Sequence, residues 1–206
     1  MDKYDIKVAH KALYAPSPTD FSTLDVPRMQ YLAVDGRGDP STSTEYAAAL
    51  EALYPVAYAL KFASKNALGR DFVVGPLEGL WRADDMTAFT RGDRDAWEWT
   101  LLISQPDWIT PAMIADAVTA VTAKGKGGKA VDRVRLLTLD EGRSIQILHI
   151  GSYSDEAPTL ARLHDEFMPA HGLTFNGDHH EIYLSDVRRT APEKLRTVLR
   201  QPVRAR

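Results

Sequence analysis

The chain has 206 residues, with 25 Lys and Arg residues against 28 Asp and Glu residues, a formal net charge of −3 and no cysteine. Without cysteine there can be no disulfide, thiolate nucleophile, iron–sulfur cluster or cysteine-based zinc site. The mild negative charge argues against a nucleic-acid-binding protein, because such proteins usually present a basic face. The charged residues 1–5 lack the apolar core of a signal peptide, and no apolar run approaches the ~20 residues that span a bilayer. We therefore expect a cytoplasmic globular protein with no membrane partner.

The first part of the chain predicts a strand followed by a helix. An extended lead-in, residues 1–26, precedes an alternating strand at 30–36. Residues 42–45 then have the capping-box pattern of a helix start, and apolar residues recur behind them on one helical face. Pro55 lies inside this pattern, which predicts a kink or two abutting helices.

Two strands and a second helix are predicted next. Residues 72–81 are rich in Val, Gly and aromatic residues and predict a strand, with bulges at Gly75 and Gly79. Residues 97–103 alternate and predict a second strand. A Thr-Pro pair opens a helix that runs from position 110 to about 123.

The second half repeats the order of elements. The predicted segments are strands at 134–139 and 145–150, a helix at 155–168, a strand at 179–184, a helical turn at 190–193 and a basic, exposed end at 195–206.

Together these elements predict an α+β fold built as a pseudo-duplicate. We expect strand–helix–strand–strand modules whose strands form an antiparallel sheet with helices on one face. The single domain would cover 1–206, with module one at about 27–106, module two at about 130–203 and a connecting helix and loop at 107–129. A ligand would then occupy the partly free face.

Four tryptophans fall between positions 81 and 108. Aromatic residues at strand spacing usually pack into a core, which is one interpretation of this set. If the two predicted strands are neighbours, Trp81, Trp97 and Trp99 would instead form a flat aromatic wall, which suits planar, hydrophobic or cationic ligands.

A carboxylate on the last predicted strand is the strongest candidate for acid–base chemistry. Alternation places His179, Glu181 and Tyr183 on one face and Ile182 and Leu184 on the other. We expect the aliphatic face to meet the helices and the Glu181 face to be free. Glu181 is then either a solvated carboxylate or one inside an aromatic pocket, where desolvation would raise its pKa.

Glu78 is a second carboxylate near the aromatic residues. On a regular strand it would point away from Trp81, three positions along. A bulge at Gly79 would bring both side chains to one face; without it, Glu78 is expected on the surface.

Neither a metal nor a cofactor is predicted. The spacing of His171, His179 and His180 matches no metal-ligand pattern. The segment 125–129 lacks the spacing and the Ser/Thr of a phosphate-binding loop, so we expect an ordinary loop. His149 lies on an alternating strand, a position typical of a core histidine.

Five strings occur in this order along the chain: ALYPVAY at 52–58, PLEGLW at 76–81, WTLLISQPD at 99–107, HIGSY at 149–153 and HEIYLSD at 180–186. Together they resemble the GyrI-like small-molecule-binding family over roughly residues 25 to 203. Within the family, the chain is most similar to stand-alone proteins that hydrolyse cyclopropanoid compounds.

The resemblance implies two modules related by a pseudo-twofold, with the ligand in the cleft between them. Related domains sense cationic aromatic drugs through a buried glutamate, and Glu181 stands at the matching position. The resemblance also implies that the partner is a planar aromatic or cationic small molecule. Only about 25 residues precede the first predicted strand, too few for the DNA-binding helices of related activators, so we expect no nucleic-acid partner. The evenly spread charge argues against a protein partner such as gyrase.

The resemblance further implies hydrolysis of the strained cyclopropane of DNA-alkylating cyclopropanoid compounds, a detoxifying reaction. Glu181 would activate water, and Tyr183 or His149 would stabilise the phenolate that develops. The alternative is non-catalytic binding or sequestration of planar or cationic small molecules. The residues expected to bind the substrate are Tyr54, Tyr58, Glu78, Trp81, Trp97 and Trp99.

Overall fold

A computed structural model describes residues 3–85 and 92–206. The chain divides into two compact units, each assembled from separated segments. The first unit combines Met1–Ala9 with Met29–Leu139, and the second combines His10–Arg28 with Asp140–Arg206.

The described part of the chain contains helices and strands in the following order. The helices are α1 (Ile6–Ala9), α2 (Lys11–Tyr14), α3 (Thr44–Ala63), α4 (Pro111–Ala123), α5 (Ala157–Ala161) and α6 (Met168–Ala170). The strands are β1 (Ser22–Val26), β2 (Met29–Arg37), β3 (Leu77–Arg82), β4 (Glu98–Gln105), β5 (Arg135–Leu139), β6 (Gly142–Ile150), β7 (Leu173–Phe175), β8 (His179–Tyr183) and β9 (Arg196–Ala205). Short π-helical turns follow α3 and α5, at Ser64–Leu68 and Arg162–Phe167, and 3-10 turns occupy Arg94–Ala96, Gly128–Arg133, Tyr153–Asp155 and Pro192–Lys194.

The sheets of the two units have the same strand order. In the first unit, β3 pairs with β4, β4 with β2, and β2 with β5, all antiparallel. In the second, β8 pairs with β9, β9 with β6, and β6 with β1, again antiparallel, while β7 pairs with β9. The first strand of each module therefore lies beside its last strand: β2 beside β4 in the first unit, and β6 beside β9 in the second. This confirms the predicted α+β fold of pseudo-duplicated strand–helix–strand–strand modules.

Helix α3 provides the core of the first unit. Ser43 caps it by accepting a hydrogen bond from the Tyr46 backbone N–H at 3.3 Å, as Ser at this position usually does. The helix runs through Pro55 as one element of 20 residues, so the predicted break into two helices does not occur. Interior proline costs roughly 3 kcal/mol. Burial of Leu53 and Leu60, at roughly 1.5–3 kcal/mol each, offsets that cost.

Strand β3 corrects two predictions. It begins at Leu77, and its pairing with β4 runs without interruption from Leu77 to Arg82, with Gly79 opposite Leu101. The bulge predicted at Gly79 is therefore absent, and Glu78 points away from Trp81. Glu78 is nevertheless fully buried, so the surface position expected for it is wrong.

The C-terminal segment also differs from the prediction. Residues expected to form an exposed basic end form β9, which pairs with β6, β7 and β8. Arg200 in its middle is 1% exposed. A buried charge is stable only when it is paired and hydrogen-bonded. The Arg200 guanidinium is paired with the Glu141 carboxylate and also donates to the Gln146 side-chain oxygen.

The core of the second unit lies between its sheet and the helical segment 157–170. Five buried apolar side chains form it: Ile145, Leu163, Met168, Leu173 and Val203. Over residues 3–85 and 92–206, no helix is both long and apolar enough to span a membrane.

Candidate functional site

The second unit brings the three predicted catalytic residues onto one sheet face. Tyr183 of β8 and His149 of β6 both lie opposite Thr197 of β9, so the three form a row across the strands. Residues directly opposite in antiparallel pairs point to the same face. Glu181, two positions before Tyr183 on β8, shares that face.

This face is the one that the helical segment covers. The Tyr153 ring lies 5.6 Å from the Tyr183 ring, edge to face, and the His164 ring lies 6.3 Å from the His179 ring. The prediction that the Glu181 face is free and opposite the helices is therefore wrong. Both faces of β8 are covered, because His180 on the opposite face is also fully buried.

Two buried carboxyl groups, Glu181 of β8 and Glu156 just before α5, interact electrostatically at this face. Glu181 is 14% exposed and accepts a 2.8 Å hydrogen bond from the Tyr183 hydroxyl at Oε2. Burial raises the pKa of Glu181 to about 7, against the opposing effects of the Tyr183 hydrogen bond and His180. Burial and the charge of Glu181 raise the pKa of Glu156 to about 10, with a smaller opposing effect from Thr197. The pair therefore holds at least one proton at neutral pH.

Glu156 was not singled out by the sequence. It is 5% exposed, and its Oε1 has no hydrogen-bond partner among the described residues. It is the N-cap residue of α5, directly before Ala157 and Pro158. An acidic residue at a helix start, just after the 149–153 string, is the signal that would have identified it.

Tyr153 is the second residue that the sequence analysis missed. Its side chain is 42% exposed, while its ring contacts that of Tyr183. Burial, then the charges of Glu156 and Glu181, raise the pKa of the Tyr153 hydroxyl to about 12. The phenol therefore keeps its proton at neutral pH and can donate a hydrogen bond to a ligand.

His149 supports the turn that carries these residues. Its Nε2 lies 3.1 Å from the Ser152 carbonyl oxygen, so this nitrogen is the one that carries the proton and donates. The Ser152 hydroxyl in turn donates to Asp155 Oδ2 at 2.7 Å. These bonds hold the 3-10 turn that begins at Tyr153 and ends just before Glu156.

A neutral histidine lies beside the pair. His179 Nε2 is 3.6 Å from Glu181 Oε1, beyond hydrogen-bond distance. Burial, and then the neighbouring His164 and His180, lower the pKa of His179 to about 3, so the contact is not an ion pair. Neither ring nitrogen of His179 has a hydrogen-bond partner within residues 3–85 and 92–206. The same residues contain no group of three or more His, Asp or Glu side chains placed to hold a metal ion.

The opposite face of the sheet carries a buried charged network. Glu141 Oε1 accepts from His180 Nδ1 at 2.9 Å, and Glu141 Oε2 accepts from Arg200 Nη1 at 3.2 Å. Burial alone would raise the pKa of Glu141, but His180 and Arg200 hold it down at about 2. Arg200 also donates to the Leu13 carbonyl at 2.9 Å, which attaches the N-terminal segment to this face.

The predicted aromatic residues of the first unit lie on the helix-facing side of its sheet. Trp81 and Trp99 are directly opposite each other on β3 and β4, as a shared wall requires. The Trp81 and Trp97 rings, however, meet edge to face at 5.8 Å rather than side by side. Trp99 is fully buried against Tyr46 of α3 at 5.1 Å, a core position.

Tyr54 and Tyr58 have a different setting. They lie one turn apart on α3 and are 37% and 49% exposed. Phe62, 54% exposed, extends this aromatic stripe by a further turn. Exposure makes Tyr54 and Tyr58 accessible to a ligand, and their predicted binding role stays a prediction.

Three solved structures from Listeria innocua are similar to the whole chain. An uncharacterized conserved protein is 40% identical with a TM-score of 0.89, over 98% of this chain and 100% of that one. Two hydrolases are 38% and 37% identical, with TM-scores of 0.83 and 0.88 and the same coverage of both chains. The C-terminal domain of EcmrR, 9% identical over 91% of this chain and 98% of that one, with a TM-score of 0.57, shares the fold.

The sequence matches no curated protein. The family model of the GyrI-like small molecule binding domain matches residues 19–204, which is nearly the whole sequence. The chain therefore belongs to the GyrI-like small-molecule-binding family.

Proposed function

We propose that this protein hydrolyses the strained cyclopropane of cyclopropanoid alkylating compounds at Glu181. The observation that carries the proposal is a mostly buried carboxyl group with a pKa of about 7, held beside a second carboxyl group that is protonated at neutral pH. A base is most effective when its pKa lies near the working pH. The two similar Listeria proteins described as hydrolases support a hydrolytic reaction.

The reaction needs two proton transfers, one from water and one to the phenolate, and one bond exchange at the cyclopropane carbon. Glu181 takes a proton from water, whose oxygen attacks the cyclopropane CH₂. The carbon–carbon bond to the spiro carbon breaks, and its electron pair moves into the dienone, which becomes a phenolate. Protonation of the phenolate completes the addition of one water.

Other residues on this face have supporting roles. Tyr183 orients Glu181 by donating to Oε2. We assign the donor for the developing phenolate to Tyr153, because His149 already donates to the Ser152 carbonyl and Tyr183 to Glu181. His149 then acts as a positioning residue for the turn that carries Tyr153. Ring strain and aromatisation favour the products, so orientation and one base suffice.

The test is turnover of a spirocyclopropyl cyclohexadienone by the purified protein, followed by mass spectrometry for the addition of one water. We expect Glu181→Gln to lose at least about 100-fold in rate, the usual contribution of a general base. Glu193→Gln, which changes an exposed carboxylate in a 3-10 turn, is the matched control and should keep the wild-type rate.

Two outcomes would contradict the proposal. Full turnover by Glu181→Gln would remove the assigned base. Binding of the dienone without product, measured by tryptophan fluorescence, would replace hydrolysis with sequestration, the second function open to this family.

A further inference from the structure

We propose that His179 is a positioning residue for the base: its Nε2–H group donates a hydrogen bond to Glu181 Oε1 when Glu181 is ionised, while Tyr183 holds Oε2. The kinetic consequence of this bond rests on the proposed function. The bond itself does not, because it forms between two side chains of the free protein and can be measured without a substrate.

His179 and Glu181 are neighbours on one face of β8. They are two positions apart on the strand, so their side chains point the same way. The His179 Nε2 lies 3.6 Å from Glu181 Oε1, and the two side chains are 10% and 14% exposed. This separation is roughly 0.6 Å longer than an ordinary N–H···O hydrogen bond. Hydrogen bonds of catalytic groups are often long in the resting protein and shorten during the reaction, so a small side-chain rotation completes this one.

The imidazole of His179 is otherwise uncommitted. Within the part of the chain that the structure describes, neither ring nitrogen has a hydrogen-bond partner, while the residue is 9% exposed. Gln201 faces the same ring, but its side-chain Nε2 donates to the backbone carbonyls of Gly177 and Pro202. Buried polar groups are almost always hydrogen-bonded, so an unused imidazole next to the base calls for an explanation. A bond that forms when Glu181 carries its charge provides one.

Together the two donors hold the carboxylate of Glu181 by both oxygens. Tyr183 donates to Oε2 at 2.8 Å, and His179 stands beside Oε1. A carboxylate offers about four lone-pair sites, so these two bonds leave one site on each oxygen for water. With both oxygens held, the plane of the carboxylate is fixed, and the remaining lone pairs keep their direction toward the water proton.

His179 stays a neutral donor while Glu181 ionises. Burial, followed by the neighbouring His164 and His180, lowers the pKa of His179 to about 3, with a smaller opposing effect from Gln201. Burial raises the pKa of Glu181 to about 7, so the two groups titrate in separate pH ranges. The titratable groups that face these two side chains in the described structure are Tyr183 on β8, His180 on its far face, His164 on the helical segment, and Tyr153 and Glu156 just before α5. Loss of the His179 bond should therefore show as a raised pKa of Glu181.

Turnover of the spirocyclopropyl cyclohexadienone as a function of pH tests the role of this bond. The wild-type rate should rise with a midpoint near pH 7 as Glu181 ionises. His179→Phe keeps a ring but has no N–H, and loss of a donor to a carboxylate favours the protonated form of that group. We therefore expect the midpoint to move up by about one unit and the rate at pH 6 to fall about tenfold.

Two further variants separate the hydrogen bond from packing. His179→Gln places an amide N–H where Nε2 lies, so it should keep the wild-type midpoint. His171→Phe makes the same change at an exposed histidine after α6 and should leave both midpoint and rate as in the wild type. A wild-type midpoint in a folded His179→Phe variant would overturn the role of His179.

NMR measures the same bond without turnover. Labelling with glutamate that carries ¹³C at the side-chain carboxyl carbon gives a titration curve for each glutamate, and the Glu181 signal is the one missing from Glu181→Gln. We expect its midpoint near 7 in the wild-type protein and about one unit higher in His179→Phe.

Labelling the histidines of the wild-type protein with ¹⁵N adds a measurement that does not depend on the folding of a variant. The His179 ring signals are identified by through-bond correlation to the backbone of β8. At pH 9, where Glu181 is ionised, His179 should carry its proton on Nε2. A main tautomer with the proton on Nδ1 would contradict the inference.

The two proposals fail separately. A raised Glu181 midpoint in the NMR titration of His179→Phe, with no dienone product from the wild-type protein, overturns the proposed function alone. Hydrolysis of the dienone, with one and the same Glu181 midpoint in the wild type and in His179→Phe, overturns this inference alone.

Discussion

At the scale of single residues, burial has opposite effects on neighbouring acids and bases of β8. It raises the pKa of the Glu181 carboxyl to about 7 and lowers the pKa of the His179 imidazole to about 3. In each case the low-polarity surroundings disfavour the charged form. The result is a base that ionises near neutral pH beside an imidazole that stays neutral.

The raised pKa of Glu181 has a cost in stability. The group has a reference pKa of 4.5 and a folded-state pKa of about 7. Below pH 4.5 the Glu181 carboxyl is protonated in both the folded and the unfolded state, so it costs the protein no stability. The free energy of unfolding then falls as the pH rises from 4.5 through 7. At pH 9, Glu181→Gln should therefore raise the free energy of unfolding by about 3 kcal/mol, while at pH 4 the variant and wild type should match.

Urea denaturation at both pH values measures this difference, with Glu193→Gln as the exposed control. Equal stabilities of Glu181→Gln and wild type at pH 9 would show that ionisation of Glu181 carries no such cost.

At the scale of elements, a glycine allows β2 and β4 to accommodate a tryptophan. Gly36 lies opposite Trp99 in the β2–β4 pairing, and a Cβ on Gly36 would collide with the six-membered ring of the Trp99 indole. Trp99 is fully buried and donates from Nε1 to the Gly38 carbonyl at 3.2 Å. The indole is therefore held in place and cannot move aside at low cost.

Gly36→Ala should destabilise the protein by about 3 kcal/mol, the upper end of typical overpacking costs. Urea denaturation followed by tryptophan fluorescence measures the loss. Gly125→Ala is the matched control: Gly125 has a φ of +64° and open space around it, so it costs only backbone strain of about 1 kcal/mol. A smaller loss for Gly36→Ala than for Gly125→Ala would contradict the packing argument.

At the scale of the whole molecule, the Glu141 network joins distant parts of the chain. Glu141 follows β5, His180 and Arg200 belong to β8 and β9, and the Leu13 carbonyl belongs to the N-terminal segment. The second unit thus depends on buried charged and polar groups from three regions of the sequence. Breaking such a buried pair leaves an uncompensated charge.

The lowered pKa of Glu141 predicts acid sensitivity. Its pKa is 4.5 in the reference state and about 2 in the folded state, so its contribution is present above pH 4.5 and lost as the pH falls through 2. Between pH 5 and pH 2, wild-type stability should fall by about 3 kcal/mol more than that of Glu141→Gln, which cannot ionise. Thermal unfolding at several pH values measures both slopes, and parallel slopes would exclude Glu141 as the source.

The fold was predictable from the sequence because its signals are local. Side-chain alternation located β4, β6 and β8, and the Thr110-Pro111 pair located the start of α4, since these patterns depend only on nearby residues. The covered C-terminal strand was missed because Arg200 is a basic residue whose burial depends on Glu141, 59 positions away.

The sequence by itself determined the absence of cysteine chemistry and the order of most of the helices and strands, and it predicted Glu181 as the central carboxylate. Only the tertiary structure decided which face of β8 the helices cover. It also brought Glu156 and Tyr153 close enough to Glu181 to interact with it electrostatically. The physical reason is that alternation assigns side chains to two faces without saying what covers either one. The pKa of each carboxyl, and hence its chemistry, depends on that covering and on the charge of the other.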